Sequence, residues 1–496
     1  MSGRDIRAGE AAFLRLGLCL AFAASAAMPL LYFQNQNTKF LHGIAAARPD
    51  RLGADWTAHT VDGLPVFSAL VRAVATWSHP GMFYGLELGL LAVMCLSLLE
   101  LARLAAPAQA RRPAFLLAAA GLIAALAHPS QEESLSGVAG QYMMGGYLQP
   151  SEFGILYLPA ILLALRRHPA ALILGAVPAA MHPAYIALSA ICVALFLWDR
   201  WRAGAGIPVL PLAAALALLI LPPLDLARRF APTDPELFAR ANAILAFQRI
   251  PHHSDPAQWA GFTALRQLSL ALLALVLAPR GLLRSLLAAL LLMAVGGAGF
   301  VALSGNAEVA LMAPWRASIL IIPLAWAIVI GRLLGWLLAR SGGPYLPTVL
   351  SLAMLALATW TAADGLAVKW RNTARTTQPD HLRFIRETHR PGDIYLTDPD
   401  QSGFRLNAMS AQFVSGKTHP YLDHEVLEWD RRLDLAERVF PRRAPLDCAA
   451  LDEVLAHYEI THVLIRQGRL PAVPCPALTP LFDGESHAVL AVTPAR

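Results

Sequence analysis

Apolar residues along this chain fall in long blocks, not in alternation. Eleven blocks stand out, at 12–33, 82–103, 114–127, 153–165, 170–181, 184–198, 207–222, 262–279, 283–303, 317–338 and 345–363. A helical crossing of a bilayer core needs ~20 apolar residues, so several blocks match a span and others are short for one. His182–Pro183 separates the blocks at 170–181 and 184–198. Proline removes a ladder donor and clashes with the preceding turn, which predicts two helices there and not one. Beyond residue 364 the pattern changes. "GDIYLTDPD", "ITHVLIRQG" and "HAVLAVTPA" read as short strands, while "EVLEWDRRLDLAERVF" and "LDEVLAHYE" have helical spacing. The expected fold is therefore mainly α. A polytopic membrane domain of about 11 transmembrane helices spans 1–366, with large loops at 34–81, 128–152 and 223–261. A soluble α/β domain follows at 367–496.

Basic residues orient this arrangement. With the N-terminus placed in the cytoplasm, the loops at 104–113, 166–169, 199–206, 280–284 and 332–344 are cytoplasmic, and each holds at least two Lys or Arg. That is the positive-inside pattern. The other loops and the C-terminal domain then face outward. Arg4, Arg7 and Arg15 flank the first block, and no small-residue cleavage site follows it, so an uncleaved signal anchor is expected.

Composition agrees. The 496 residues are 56% hydrophobic and 15% charged, well below the ~25% charge of soluble domains, and the mean hydropathy is +0.49. The bilayer is the first partner. The net charge of +6 fits cytoplasmic arginines better than nucleic-acid binding, so no nucleic-acid partner is expected. Abundant Ala, Leu, Arg and Pro fit a GC-rich bacterial genome, and hence a bacterial inner membrane. Of five cysteines, Cys448 and Cys475 lie in the soluble domain. In an oxidising compartment they would pair.

Polar clusters gather on the outward side. "QNQNTKFLHG" follows the first block; its Asn37 and Lys39 suit a hydroxyl or a phosphate, and its His42 suits a phosphate, a proton or a hydroxyl. The same groups could equally tie the loop to neighbouring helices. Asp55 and Asp62 stand among Trp56, His59 and Pro65; such a carboxylate can act as a general base or cap a turn. Glu132 and Glu133 lie beside a membrane boundary, where ionisable groups are costly and often functional, or where an acid starts a helix. Arg249, His252, His253 and Asp255 form a knot in "RIPHHSDPAQW". Its adjacent histidines lack H-x-x-x-H or H-x-H spacing, so anion binding is favoured over metal. A divalent metal is left open, and no cofactor is assigned. Arg316 in "APWRAS" suits bidentate capture of a phosphate, or snorkels to headgroups. No Walker A, Rossmann glycine fingerprint, HExxH or nucleophile elbow occurs, which removes the sequence basis for ATP-driven transport and zinc proteolysis.

With these clusters, the chain resembles the GT-C superfamily, polytopic glycosyltransferases that use polyprenyl-phosphate sugars. The strings "NQNTKFLHG", "DWTAHTVDGLPVFS", "RIPHH" and "FRLNAMSAQFVSGKTHPYLDHEVLEWDRR" also resemble a group of bacterial multi-pass proteins. The resemblance implies transfer of a sugar from a polyprenyl-phosphate donor on the periplasmic side, with inversion. It implies an acid in the first outward loop as base, Asp55 first and Asp62 second. Arg316, Arg249 and the His252–His253 pair would hold phosphate. Where many such enzymes carry an acid just after the first helix, this chain has Asn35, Gln36 and Asn37. The alternative is a non-catalytic binding or transport protein for lipid-linked glycans.

Overall fold

Small residues four apart let two of the apolar helices meet closely. In the helix Ser318–Arg340, Gly331 and Gly335 face Ala102 and Ala106 at the end of Met82–Ala105. A Cβ on Gly331 would come within 2.2 Å of the Ala102 carbonyl oxygen, and one on Gly335 within 2.6 Å of the Ala106 Cβ. This small-xxx-small pattern is the usual basis of tight helix association in lipid, where apolar burial gives little drive. The structure, a computed structural model, describes residues 15–23, 25–27, 30–32, 34–110, 112–128, 131, 134–343, 345–375 and 379–493.

The chain divides into two units. The first comprises the described parts of Met1–Pro29, with Gly81–Asp225 and Ala246–Asn372. Among the described residues six helices are long and apolar enough to cross a membrane: Met82–Ala105, Pro183–Arg202, Val209–Arg229, Leu282–Ser304, Ala307–Arg340 and Tyr345–Arg371. Four further blocks form shorter apolar helices, at Pro113–Leu126, Pro150–Leu165, Ala170–Met181 and Phe262–Leu277. The expected eleven spans are thus six full-length helices and four short ones, with the first block described only in part. His182 does break the chain between two helices, its Nδ1 accepting the Ala184 amide at 3.3 Å. Exposed side chains such as Val276, Leu292 and Leu303 make an apolar exterior, the mark of a membrane protein.

The second unit is assembled from three separate stretches, Leu30–Pro80, Leu226–Leu245 and Thr373–Arg496. At its centre is a mixed sheet of five strands: β1 (Ile394–Thr397), β2 (Ala411–Gln412), β3 (His462–Arg466), β4 (Leu478–Asp483) and β5 (His487–Val492). The order is β2-β1-β3-β5-β4. β1 runs parallel to β2 and β3, and β5 pairs antiparallel with β3 and β4. Ile385, Tyr395, Phe404, Leu464 and Val489 fill one side. Cys448, opening the helix Cys448–His457, is disulfide-bonded to Cys475 ahead of β4.

The two loop stretches belong to this body through polar ties. Val61 N–H donates to the Glu425 carboxylate at 3.0 and 3.1 Å, and Arg51 donates to the Arg386 carbonyl at 2.8 Å. From the 226–245 stretch, the Thr233 amide and hydroxyl donate to Asp423 at 2.7 and 2.6 Å. The second unit is therefore wider than residues 367–496.

Candidate functional site

Residues 134–149 run without regular helix or strand beyond one short 3₁₀ turn, although most are buried inside the apolar unit. Backbone of that kind must find partners for its amides and carbonyls, because no water or lipid supplies them. Four side chains from three helices do so. Trp326 Nε1 donates to the Ser134 carbonyl at 2.8 Å, and Gln267 Nε2 donates to the Ser136 carbonyl at 2.7 Å. Val138 N–H donates to Ser318 Oγ at 2.9 Å, and His253 Nδ1 donates to the Ala139 carbonyl at 2.6 Å. Gly137 permits the approach to Ser318, since a Cβ there would lie 2.2 Å from Ser318 Oγ. Ala139 sits at φ 59°, an uncommon conformation for a residue with a side chain. Strain of this sort concentrates at functional positions.

The segment delivers Glu152. Pro150 opens a helical turn, and an acid in the first turn is favoured by the exposed amides there. Tyr185, fully buried, donates its hydroxyl to the Ser151 carbonyl at 2.8 Å and fixes the turn. Glu152 itself is fully buried, and neither carboxylate oxygen takes a well-formed hydrogen bond among the described residues. The Gly145 amide and the carboxylate of Glu87, which is also fully buried on Met82–Ala105, act on it electrostatically. Lys369 in turn interacts with Glu87.

A basic group completes the cluster. The charges of Arg316 and Glu152 both act on Tyr185. Arg316 and Arg249 both act on His253, whose ring lies 4.1 Å from that of His252. Burial pushes His253 down to about 4, reinforced by His252, Arg316 and Arg249 and opposed by the Ala139 carbonyl. Burial, then Arg249, also lowers His252. With Nδ1–H given to Ala139, neutral His253 presents Nε2 as an acceptor. Trp315 steadies the loop, its Nε1 donating to the His253 carbonyl at 2.9 Å. Among the described residues no group of three or more His, Cys, Asp or Glu is placed to hold a metal ion.

Of the residues singled out in the sequence, Arg249, His252, His253 and Arg316 come together in this cluster. Glu132 and Glu133 lie outside the described residues. Asn37, Lys39, His42, Asp55 and Asp62 all belong to the other unit. There Asp55 is fully buried: its Oδ2 accepts Arg405 Nε at 2.6 Å and the Gln412 amide at 2.9 Å, and its Oδ1 accepts the Ala58 amide at 3.1 Å. A carboxylate whose lone pairs are so committed is placed to anchor a loop, not to take a proton from a ligand. Asn37 is likewise buried, donating to the Tyr32 carbonyl and accepting the Leu406 amide at 3.4 Å. Asp62 accepts the Leu64 amide at 2.8 Å as a turn acid and lies 3.8 Å from His42, whose Nε2 contacts the Thr60 carbonyl at 3.1 Å. Lys39 reaches the Tyr421 hydroxyl at 3.4 Å.

Sequence reasoning passed over Glu87, Glu152, Tyr185 and Lys369. The signal for Glu87 was present, as an acid deep in the apolar 82–103 block, whereas Glu100 lies near its end beside Arg103. Glu152 stood at the lip of the 153–165 block.

Residues 378–436 match a family described as a domain of unknown function (DUF6798). That segment carries Arg405, Gln412 and Asp423 of the second unit. Neither the curated proteins nor the solved structures yield a match to the chain.

Proposed function

We propose that this chain is a membrane glycosyltransferase of GT-C-like architecture that uses a polyprenyl-phosphate sugar, with Glu152 as its general base. The observation that carries the reading is Glu152: a fully buried carboxylate, without a well-formed hydrogen bond among the described residues, in the same cluster as Arg316, Arg249 and two histidines. Burying such a group is costly unless a ligand or a proton completes it.

In this scheme the donor phosphate is held by Arg316 and Arg249, whose planar guanidinium groups match phosphate oxygens. His253 Nε2 accepts a sugar hydroxyl. Glu152 removes the proton from an acceptor hydroxyl as its oxygen attacks the anomeric carbon. The anomeric carbon–phosphate oxygen bond breaks, polyprenyl phosphate leaves with that electron pair, and the configuration inverts. Glu87 stands behind Glu152 and receives the proton in turn, with Lys369 balancing its charge. The short apolar helices complete a bundle of about eleven crossings in a bacterial inner membrane. The N-terminus is cytoplasmic and the soluble unit periplasmic, as the basic loops require.

The test uses the full chain in lipid nanodiscs, supplied with polyprenyl-phosphate sugars and envelope lipids as acceptors, with released polyprenyl phosphate read by mass spectrometry. Wild type releases it. Glu152→Gln lowers turnover by roughly 10²–10⁴-fold, the usual weight of a general base, with donor retention unchanged. Release by Glu152→Gln at the wild-type rate would overturn the assignment.

A further inference from the structure

At the helix ends near residues 105 and 336, far along the sequence from the Glu152 loop, the first unit has a groove of about 690 Å³. Its walls are apolar: Ala105 and Ala106 from Met82–Ala105, Leu273 and Leu277 from Phe262–Leu277, and Leu333 and Trp336 from Ser318–Arg340. A volume of this size is in the range of small-molecule sites.

The rim is not apolar. Arg332 is part of the lining; its Nε donates to the Leu277 carbonyl at 3.0 Å, and its terminal nitrogens take no hydrogen bond among the described residues. Arg340 stacks on Trp336, 4.5 Å from the ring centroid, and forms no ion pair among the described residues. Both are exposed. Two other guanidinium groups at this end are occupied with helix carbonyls: Arg112 with Leu338, and Arg284 with Val276 and Ala278. Arg332 thus lines the apolar trough and Arg340 stacks on Trp336 of its wall, both with guanidinium nitrogens open to an anion, beside a tryptophan of the type that marks a headgroup level.

We propose that this groove binds one anionic phospholipid, an acyl chain in the trough and the phosphate on Arg332 and Arg340. The charge pattern decides the occupant. A zwitterionic lipid would bring its own ammonium against the two guanidiniums, and a soluble anion would leave the trough bare. The proposal stands independently of the transferase reading.

Native mass spectrometry of the full chain from nanodiscs of equal phosphatidylglycerol and phosphatidylethanolamine tests it. Wild type retains phosphatidylglycerol in preference. Each arginine near a membrane surface weighs roughly fivefold toward an anionic lipid, so Arg332→Gln with Arg340→Gln erases the preference while total lipid stays. Ala108→Trp, on the exposed rim, lowers retention of both lipids. Equal retention of the two lipids by wild type overturns the site. So does an unchanged preference in the arginine double variant, or full retention in folded Ala108→Trp, with folding checked by circular dichroism.

Discussion

Asp55 and Arg405, 350 residues apart in sequence, form an ion pair at 2.6 Å in which neither side chain is exposed by more than 1%. Arg405 extends the tie by donating to Thr57 Oγ1 at 3.0 Å and to the Gln412 carbonyl at 3.2 Å. Removing either partner strands the other charge in the interior. Asp55→Ala and Arg405→Ala are each expected to cost about 3–5 kcal/mol, read as a large fall in melting temperature. Asp55→Asn is expected to lower stability while the activity of each folded molecule persists. A stable Asp55→Asn protein with no activity would return the base role to Asp55.

Acid should loosen the His253 loop. His253 titrates at about 4 in the fold against an ordinary value of 6.5, so the unfolded chain binds more protons between those values. Stability contributed by the neutral ring is complete above 6.5 and is lost as pH falls toward about 4. Asn at this position keeps a donor for the Ala139 carbonyl but does not titrate. Melting temperatures measured from pH 7.5 to 4 are expected to fall more steeply for wild type than for His253→Asn. Parallel curves would show that the ring is not held neutral.

The Cys448–Cys475 bond spans 27 residues. Closing a loop of that length is worth about 3.5 kcal/mol in the chain-entropy account. Cys448→Ser with Cys475→Ser should lower the melting temperature of the soluble unit, and reductant should do the same to wild type. Thiol alkylation that finds both cysteines free in untreated protein would remove the bond from consideration.

Helix packing makes a sharper contrast. Gly331→Val places carbon where the Ala102 carbonyl already lies, and is expected to destabilise by ~1–3 kcal/mol or more. Gly299, on Leu282–Ser304, has nothing within 4 Å of an added Cβ. Gly299→Ala should be neutral, or stabilising by up to about 1 kcal/mol through helix propensity. Equal effects on detergent thermostability would refute the close approach.

Much of the fold was legible because its causes are local. Block length marked the apolar helices, His182–Pro183 marked a break, and the change of period after 364 marked strands. Arg249, His252, His253 and Arg316 were visible as polar residues where apolar ones prevail. The roles of Asp55 and Glu152 were not legible, and the reason is the same for both. An acid in a loop looks free until its partner is known, and Arg405 is too distant in sequence to be paired by inspection. Glu152 drew no notice at the lip of its apolar block, because only the folded loop shows which neighbours it has and lacks. Length also misled. Short helices such as Ala170–Met181 are apolar enough for a span without being long enough to cross unaided.

The three-part construction of the second unit sets a timetable for its birth. Ribosomes add about 5–20 residues per second, so Asp55 emerges roughly 20–70 s before Arg405, which completes its charge. Through that interval the 30–80 segment has neither its ion-pair partner nor the sheet it packs on, while the membrane helices are being threaded. A chain ending early, by nonsense mutation or stalled synthesis, would present that segment permanently unfinished. Quality-control proteases would then recognise an incomplete molecule from its 30–80 segment.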